Sequence, residues 1–145
     1  MRKLVIIFWL GILLSLSHSS LANSEIKSEF ELRDECSYDP VGIRECLQKK
    51  LKSSELNLKS AEGKVSQSLE KWDEDPEYIS AAKAKFKSAN EEFIKYREAQ
   101  CQFALSLGGG AIGNALDVRR FACVAELNNR RAEQLLSSIV ALPLR

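Results

Sequence analysis

The chain has 145 residues, with 21 Lys plus Arg against 20 Asp plus Glu, and it is 45% apolar and 28% charged. The near-neutral balance argues against a dedicated nucleic-acid binder, which needs a basic surface, and the apolar content is too high for a disordered chain. Thr is absent and Pro occurs three times, which disfavours an all-β fold built from β-branched strands and many turns.

At the start of the chain, Arg2 and Lys3 precede an apolar run from Leu4 to Leu16, and small residues stand at Ser20 and Ala22. This is the pattern of a cleavable secretory signal peptide over 1–22, with cleavage after Ala22. The run is shorter than the ~20 residues a bilayer span needs. A periplasmic or secreted protein with no stable membrane insertion is therefore expected. Cleavage removes the two cations and His18, which takes the formal net charge from +1 to −1 and leaves no histidine. Without imidazole, Ser-His-Asp and Cys-His nucleophiles and imidazole-ligated zinc are ruled out. Only carboxylate chemistry remains, and charged pairs on a helix surface are usually solvated, so neither an enzyme nor a cofactor is expected.

Residues 23–39 are polar and acidic, with Glu25, Glu29, Glu31, Asp34, Glu35 and Asp39 against Lys27 and Arg33. They read as a largely extended arm. Asp39-Pro40 has the form of a capping residue followed by proline. Beyond it Leu51, Leu58, Val65 and Trp72 recur every seven residues, flanked by Leu47 and Ala61, which predicts a long helix over about 41–72. Asp73-Glu74-Asp75-Pro76 ends that helix and starts a second, over about 76–106. Its apolar rows are Ile79, Phe86 and Phe93 and, beside them, Ala82, Ala89, Tyr96 and Phe103. Gly108-Gly109-Gly110 stops it. Asn114 is the expected cap of a third helix over about 115–141, with Leu116, Val124, Leu127, Leu135 and Ile139 as its stripe. Heptad spacing and a tight Asp-Pro turn imply antiparallel neighbours at a shallow angle. The expected fold is an all-α, elongated antiparallel helical hairpin plus a third helix over 40–142.

Cys36, Cys46, Cys101 and Cys123 are an even set in an exported chain, which reads as two disulfides. No C-x2-C pair is present, so a cysteine zinc site is not expected. Cys101 and Cys123 are equidistant from Ile112, so a hairpin turning there sets them side by side. Cys36 and Cys46 flank the first helix start. Pairs 36–46 and 101–123 are favoured, with 46–101 and 36–123 the alternative, because Cys46 and Cys101 are also nearly level about the Asp75 turn.

The segment Phe93-Ile-Lys-Tyr96-Arg97-Glu98-Ala-Gln-Cys101 resembles the W-x-x-Y-R-D-x-x-C signature of LprI-type lysozyme inhibitors, with Phe93 in place of Trp and Glu98 in place of Asp. Gly108-Gly109-Gly110-Ala111 resembles that family's G-G-S loop. The run from Cys123 through Leu127 and Asn128 to Arg131-Ala132 resembles C-x-x-x-L-T-x-x-R-A, with Asn128 replacing Thr. Cys36, Cys46 and Glu55-Leu56-Asn57 are similar to the family's opening segment. The resemblance implies a secreted or periplasmic helical protein that blocks lysozyme. An envelope binding module, of immunity or adaptor type, is the alternative reading of the same fold.

The expected contact surface is the loop Gly108, Gly109, Gly110 to Asn114, with Ser106 beside it, because glycines let a partner approach backbone closely. Arg97 and Arg131 sit at or within apolar stripes; a partner-facing role is one reading, and the favoured one is structural, with the guanidinium paired to a carboxylate, Glu55, Glu62 and Glu126 being candidates, or to helix carbonyls, and the stem covering apolar surface. Trp72 is expected in the core; Tyr38 and Tyr96 are candidate aromatic anchors, with packing in the core or on a disulfide favoured for Tyr96. The acidic arm, with Asp73, Glu74 and Asp75, is a candidate attractor for a basic partner.

Overall fold

A computed structural model describes residues 25–145, so the signal-peptide reading of 1–22 lies outside the described residues. Four helices follow one another: α1 Glu29–Ser37, α2 Ile43–Lys71, α3 Pro76–Ser106 and α4 Asn114–Ile139. The chain is all-α as expected. The disulfides are Cys36–Cys46 and Cys101–Cys123, with Cα separations of 5.6 and 5.7 Å. Each closed loop contributes about 3 kcal/mol by chain entropy.

The extended-arm reading of 23–39 is corrected by α1. Ser28 Oγ accepts from the Glu31 amide at 3.3 Å, and Glu31 Oε2 accepts from the Ser28 amide at 2.7 Å. This reciprocal box satisfies amides that a helix start leaves open. Leu32 and Cys36 are then buried on one side, so the folded domain begins with α1 and not at Pro40.

The helix starts also differ in detail. Asp39 Oδ1 accepts from the Val41 amide at 2.9 Å and shapes a turn, while Gly42, at φ +104°, occupies the cap of α2. Gly113 caps α4 and Asn114 is its first residue. At both places the chain enters the helix through a positive φ, which glycine adopts without a Cβ clash. α3 begins at Pro76 behind Asp75, as expected.

Packing follows the small residues. α2 and α4 make the most extensive helix contact, and they run parallel. Arg44 meets Asp117, Ser54 meets Asn128 and Asn57 meets Asn129 in the same order along both helices. Their seam buries Leu47, Leu58, Ala61, Val65 and Leu69 against Ala122, Ala125, Ala132 and Leu135. Alanines on α4 let α2 approach closely. α3 returns antiparallel, with Asn90 level with Arg131 and Cys101 with Cys123. It lays Phe86 and Phe93 on the seam, but only Cys101 and Ala104 are buried.

The row Ala82, Ala89, Tyr96 and Phe103 is therefore not a second seam. Tyr96 and Phe103 are more than half exposed, which corrects the core placement of Tyr96. The physical reason is that α4 already covers the face of α2 that α3 would need. Trp72 packs at the edge of the core as expected.

Candidate functional site

Because α2 and α4 are parallel, both begin at one end of the bundle. The 107–113 loop and the 38–42 turn lie there too. Both disulfides brace this half: Cys46 is in the first turn of α2 and Cys123 in the third of α4.

The loop is a set of tight turns. Gly108 and Gly109 donate to the carbonyls of Leu105 and Ser106 at 2.9 and 3.1 Å, and Ala111 donates to Gly108 at 3.2 Å. Gly109 at φ +58° occupies the left-handed region, which disfavours side chains. Gly108 is needed for close approach: a Cβ there would lie 3.0 Å from the Leu105 carbonyl oxygen and 3.3 Å from Arg119 Nε. Gly110 has open space and an ordinary φ. Ser106 Oγ donates back to the Phe103 carbonyl at 2.7 Å, so its hydroxyl hydrogen is used within its own helix. Asn114 is exposed.

Apolar side chains stand out from the same end. Ile112 is 83% and Tyr38 82% exposed, and Val41 and Leu107 are also well exposed. Sequence reading took Tyr38 as a possible anchor but passed over Val41, Leu107 and Ile112. Their signal was position: large apolar residues in turns, where no helical stripe claims them. Beside them is an open cleft of about 480 Å³, lined by Arg33, Gly42, Arg44, Glu45, Asn114 and Arg119 among others. Arg33 Nε lies 3.3 Å from Glu29, and Arg44 Nε lies 2.9 Å from Asp117 with its guanidinium 5.6 Å from the Phe121 ring. No hydrogen bond or ion pair holds Arg119 among the described residues.

The other motif residues assemble farther along the bundle. Asn128 is fully buried in α4. Its Oδ1 accepts from Arg97 Nη1 at 2.7 Å, and its Nδ2 donates to Ser54 Oγ at 3.1 Å, which joins α2, α3 and α4. Arg131 donates to Asn90 at 3.1 Å and to Gln134 at 2.9 Å. The guanidinium carbons of Arg97 and Arg131 each lie 5.6 Å from the Phe93 ring centroid. Both arginines thus have internal contacts, but the expected partners Glu55, Glu62 and Glu126 are replaced by amides. Glu55 is exposed, and Glu126 instead accepts from the Glu29 amide at 2.6 Å and from Arg130 at 2.8 Å. Ser54 and Asn90 were missed because a lone polar residue in a stripe carries no partner information.

The acidic groups do not form one patch. α1 packs along the braced half, where Glu35 meets Lys50, whereas Asp73, Glu74 and Asp75 follow the far end of α2, and about 32 Å of helix at 1.5 Å per residue lies between Lys50 and Lys71. Within α1, Lys27 and Lys50 donate to Glu35 and hold its carboxyl below the usual range. Hydrogen bonds from Ser28 do the same for Glu31. Among the described residues no cluster of His, Cys, Asp or Glu has the makings of a metal site, and no helix is long and apolar enough to cross a membrane.

Comparison with known proteins gives one finding: a protein-family model described as Lysozyme inhibitor LprI matches residues 34–135, a span that contains all four cysteines. No curated protein and no solved structure matches the chain.

Proposed function

The chain belongs to the LprI family of lysozyme inhibitors, and from that premise we propose that it binds and blocks a peptidoglycan-cleaving glycosidase outside the cytoplasm. The family match carries this reading. Such glycosidases work with two carboxylates flanking the scissile bond in a cleft. An inhibitor needs no chemistry of its own. It needs a stiff body that fills or covers the cleft, and stiffness reduces the ordering cost of association.

The braced end supplies that body. The loop residues Gly108, Gly109, Gly110 and Asn114, with Ser106 at their base, form the contact surface. Tyr38, Val41, Leu107 and Ile112 surround it with apolar area of the kind that dominates interface energetics. The protein acts by binding and not as an enzyme.

The test is a turbidity assay of cell-wall lysis with purified, oxidised protein. Lysis slows in proportion to added protein, and Ile112→Arg weakens inhibition at least ~10-fold, about 1.4 kcal/mol, with no change in melting temperature. No slowing at large molar excess over several lysozyme types overturns the proposal. Selective capture of one different envelope protein would then favour the adaptor reading.

A further inference from the structure

Arg119 is a half-buried cation at the braced end that has no ion pair or hydrogen bond among the described residues, whereas its equally unpaired neighbour Arg120 is exposed. The cleft there holds three arginines. Arg33 lies 3.3 Å from the Glu29 carboxylate, although its buried Nε makes no hydrogen bond, and Arg44 is bonded to Asp117. The acid nearest Arg119 in sequence is thereby already occupied. Arg119 makes no ion pair or hydrogen bond among the described residues, although its side chain is half-buried. Its stem is nonetheless placed: it packs so close to Gly108 that a Cβ there would lie 3.3 Å from Nε and 3.4 Å from Cδ. The glycine loop therefore acts as the wall against which this arginine lies.

We infer that Arg119 is the anchor of the partner-facing surface, and that it pairs with an ionised carboxylate in the cleft of a peptidoglycan-cleaving glycosidase. This rests on the inhibitor reading above and names the group that makes it specific. A guanidinium presents a planar fork of donors that matches a carboxylate with two parallel hydrogen bonds. A cation already partly desolvated, with its stem held by backbone, has less freedom to lose on binding than a free surface lysine. Leu107 and Ile112 belong to the loop whose Gly108 Arg119 packs on, Tyr38 and Val41 belong to the turn that leads into the cleft residue Gly42, and all four are exposed. They would exclude water from the pair once the surfaces meet, which is where a charged hydrogen bond discriminates most. Charge complementarity thus selects a partner with an acid in a concave site.

The experiment uses the lysozyme that the wild-type protein inhibits most strongly. Inhibition constants are measured for the wild type, Arg119→Gln, Arg119→Lys and Arg120→Gln, with melting temperatures as a check on folding. Arg119→Gln raises the constant tenfold or more, Arg119→Lys recovers part of the loss, and Arg120→Gln stays within twofold. Binding is then measured by calorimetry to a lysozyme variant whose ionised catalytic carboxylate is replaced by its amide. The wild type binds that variant as weakly as Arg119→Gln binds the native enzyme, and Arg119→Gln does not distinguish the two enzymes. Wild-type potency in Arg119→Gln, or equal sensitivity of both proteins to the amide, overturns the inference while leaving inhibition standing. A wild-type protein that neither inhibits nor binds overturns the inhibitor reading, and this inference with it.

Discussion

Replacing Asn128 with alanine separates what holds the bundle from what meets a partner. Asn128 lies in the α2–α4 seam with no exposed surface. Its Oδ1 takes a hydrogen bond from the Arg97 guanidinium at 2.7 Å, and bonds to charged groups contribute ~1.5–3 kcal/mol. Its Nδ2 donates to Ser54 Oγ at 3.1 Å, a neutral bond of ~0.5–1.5 kcal/mol. Arg97 keeps its contact with Phe93, and Ser54 keeps its bond to the Leu51 carbonyl at 2.7 Å, so neither is left wholly bare. Asn128→Ala is therefore expected to destabilise the fold by about 3 kcal/mol. Ser54→Ala costs about 1 kcal/mol, and the double variant falls short of the sum by about 1 kcal/mol because the two share a bond. Urea unfolding of the oxidised protein, followed by far-UV circular dichroism, measures each value. Asn128 is about 20 Å along α4 from Asn114 at 1.5 Å per residue, so inhibition by the folded variant is unchanged. A loss below 1 kcal/mol for Asn128→Ala would refute the network as a stabilising element.

Gly109→Ala forces a side chain into φ +58° and lowers stability by about 1–2 kcal/mol, whereas Gly110→Ala, in open space at an ordinary φ, is neutral or raises stability by up to ~1 kcal/mol. Thermal melts rank the two, and the opposite order contradicts the loop geometry. Glu35 gives a pH signature. Lys27 and then Lys50 hold its folded-state carboxyl below the ordinary value of 4.5. Its contribution is therefore complete above that value and is lost as pH falls through the lowered folded one. Amide-exchange protection of α1 is expected to decline through that acid range in the wild type and to change less in Glu35→Gln. Parallel profiles for the two proteins would show that these pairs do not hold α1.

The α3 boundaries, Pro76 to Ser106, were legible because Asp-Pro and a glycine run are local signals that act on the backbone directly. The Ile112 ruler favoured Cys101–Cys123 because a hairpin's register follows from chain length alone. α1 was also written in the sequence, as Ser28-x-x-Glu31 before an apolar Leu32, but a dense set of acids hid it. Tyr96 and the arginine partners were not legible. An apolar row shows which face of a helix is to be covered, but it does not show which neighbour covers it.

The amino-acid order by itself set the helical class, the breaks between the long helices and the candidate bridges, since periodicity, proline, glycine and cysteine act over short or countable stretches of chain. Tertiary packing alone decided that α2 lies beside α4 in parallel, that Tyr96 is more than half exposed, and that Arg119 goes unpaired among the described residues at the braced end. These outcomes depend on competition for one buried seam, and the alanines of α4 win it because small side chains let two backbones approach most closely.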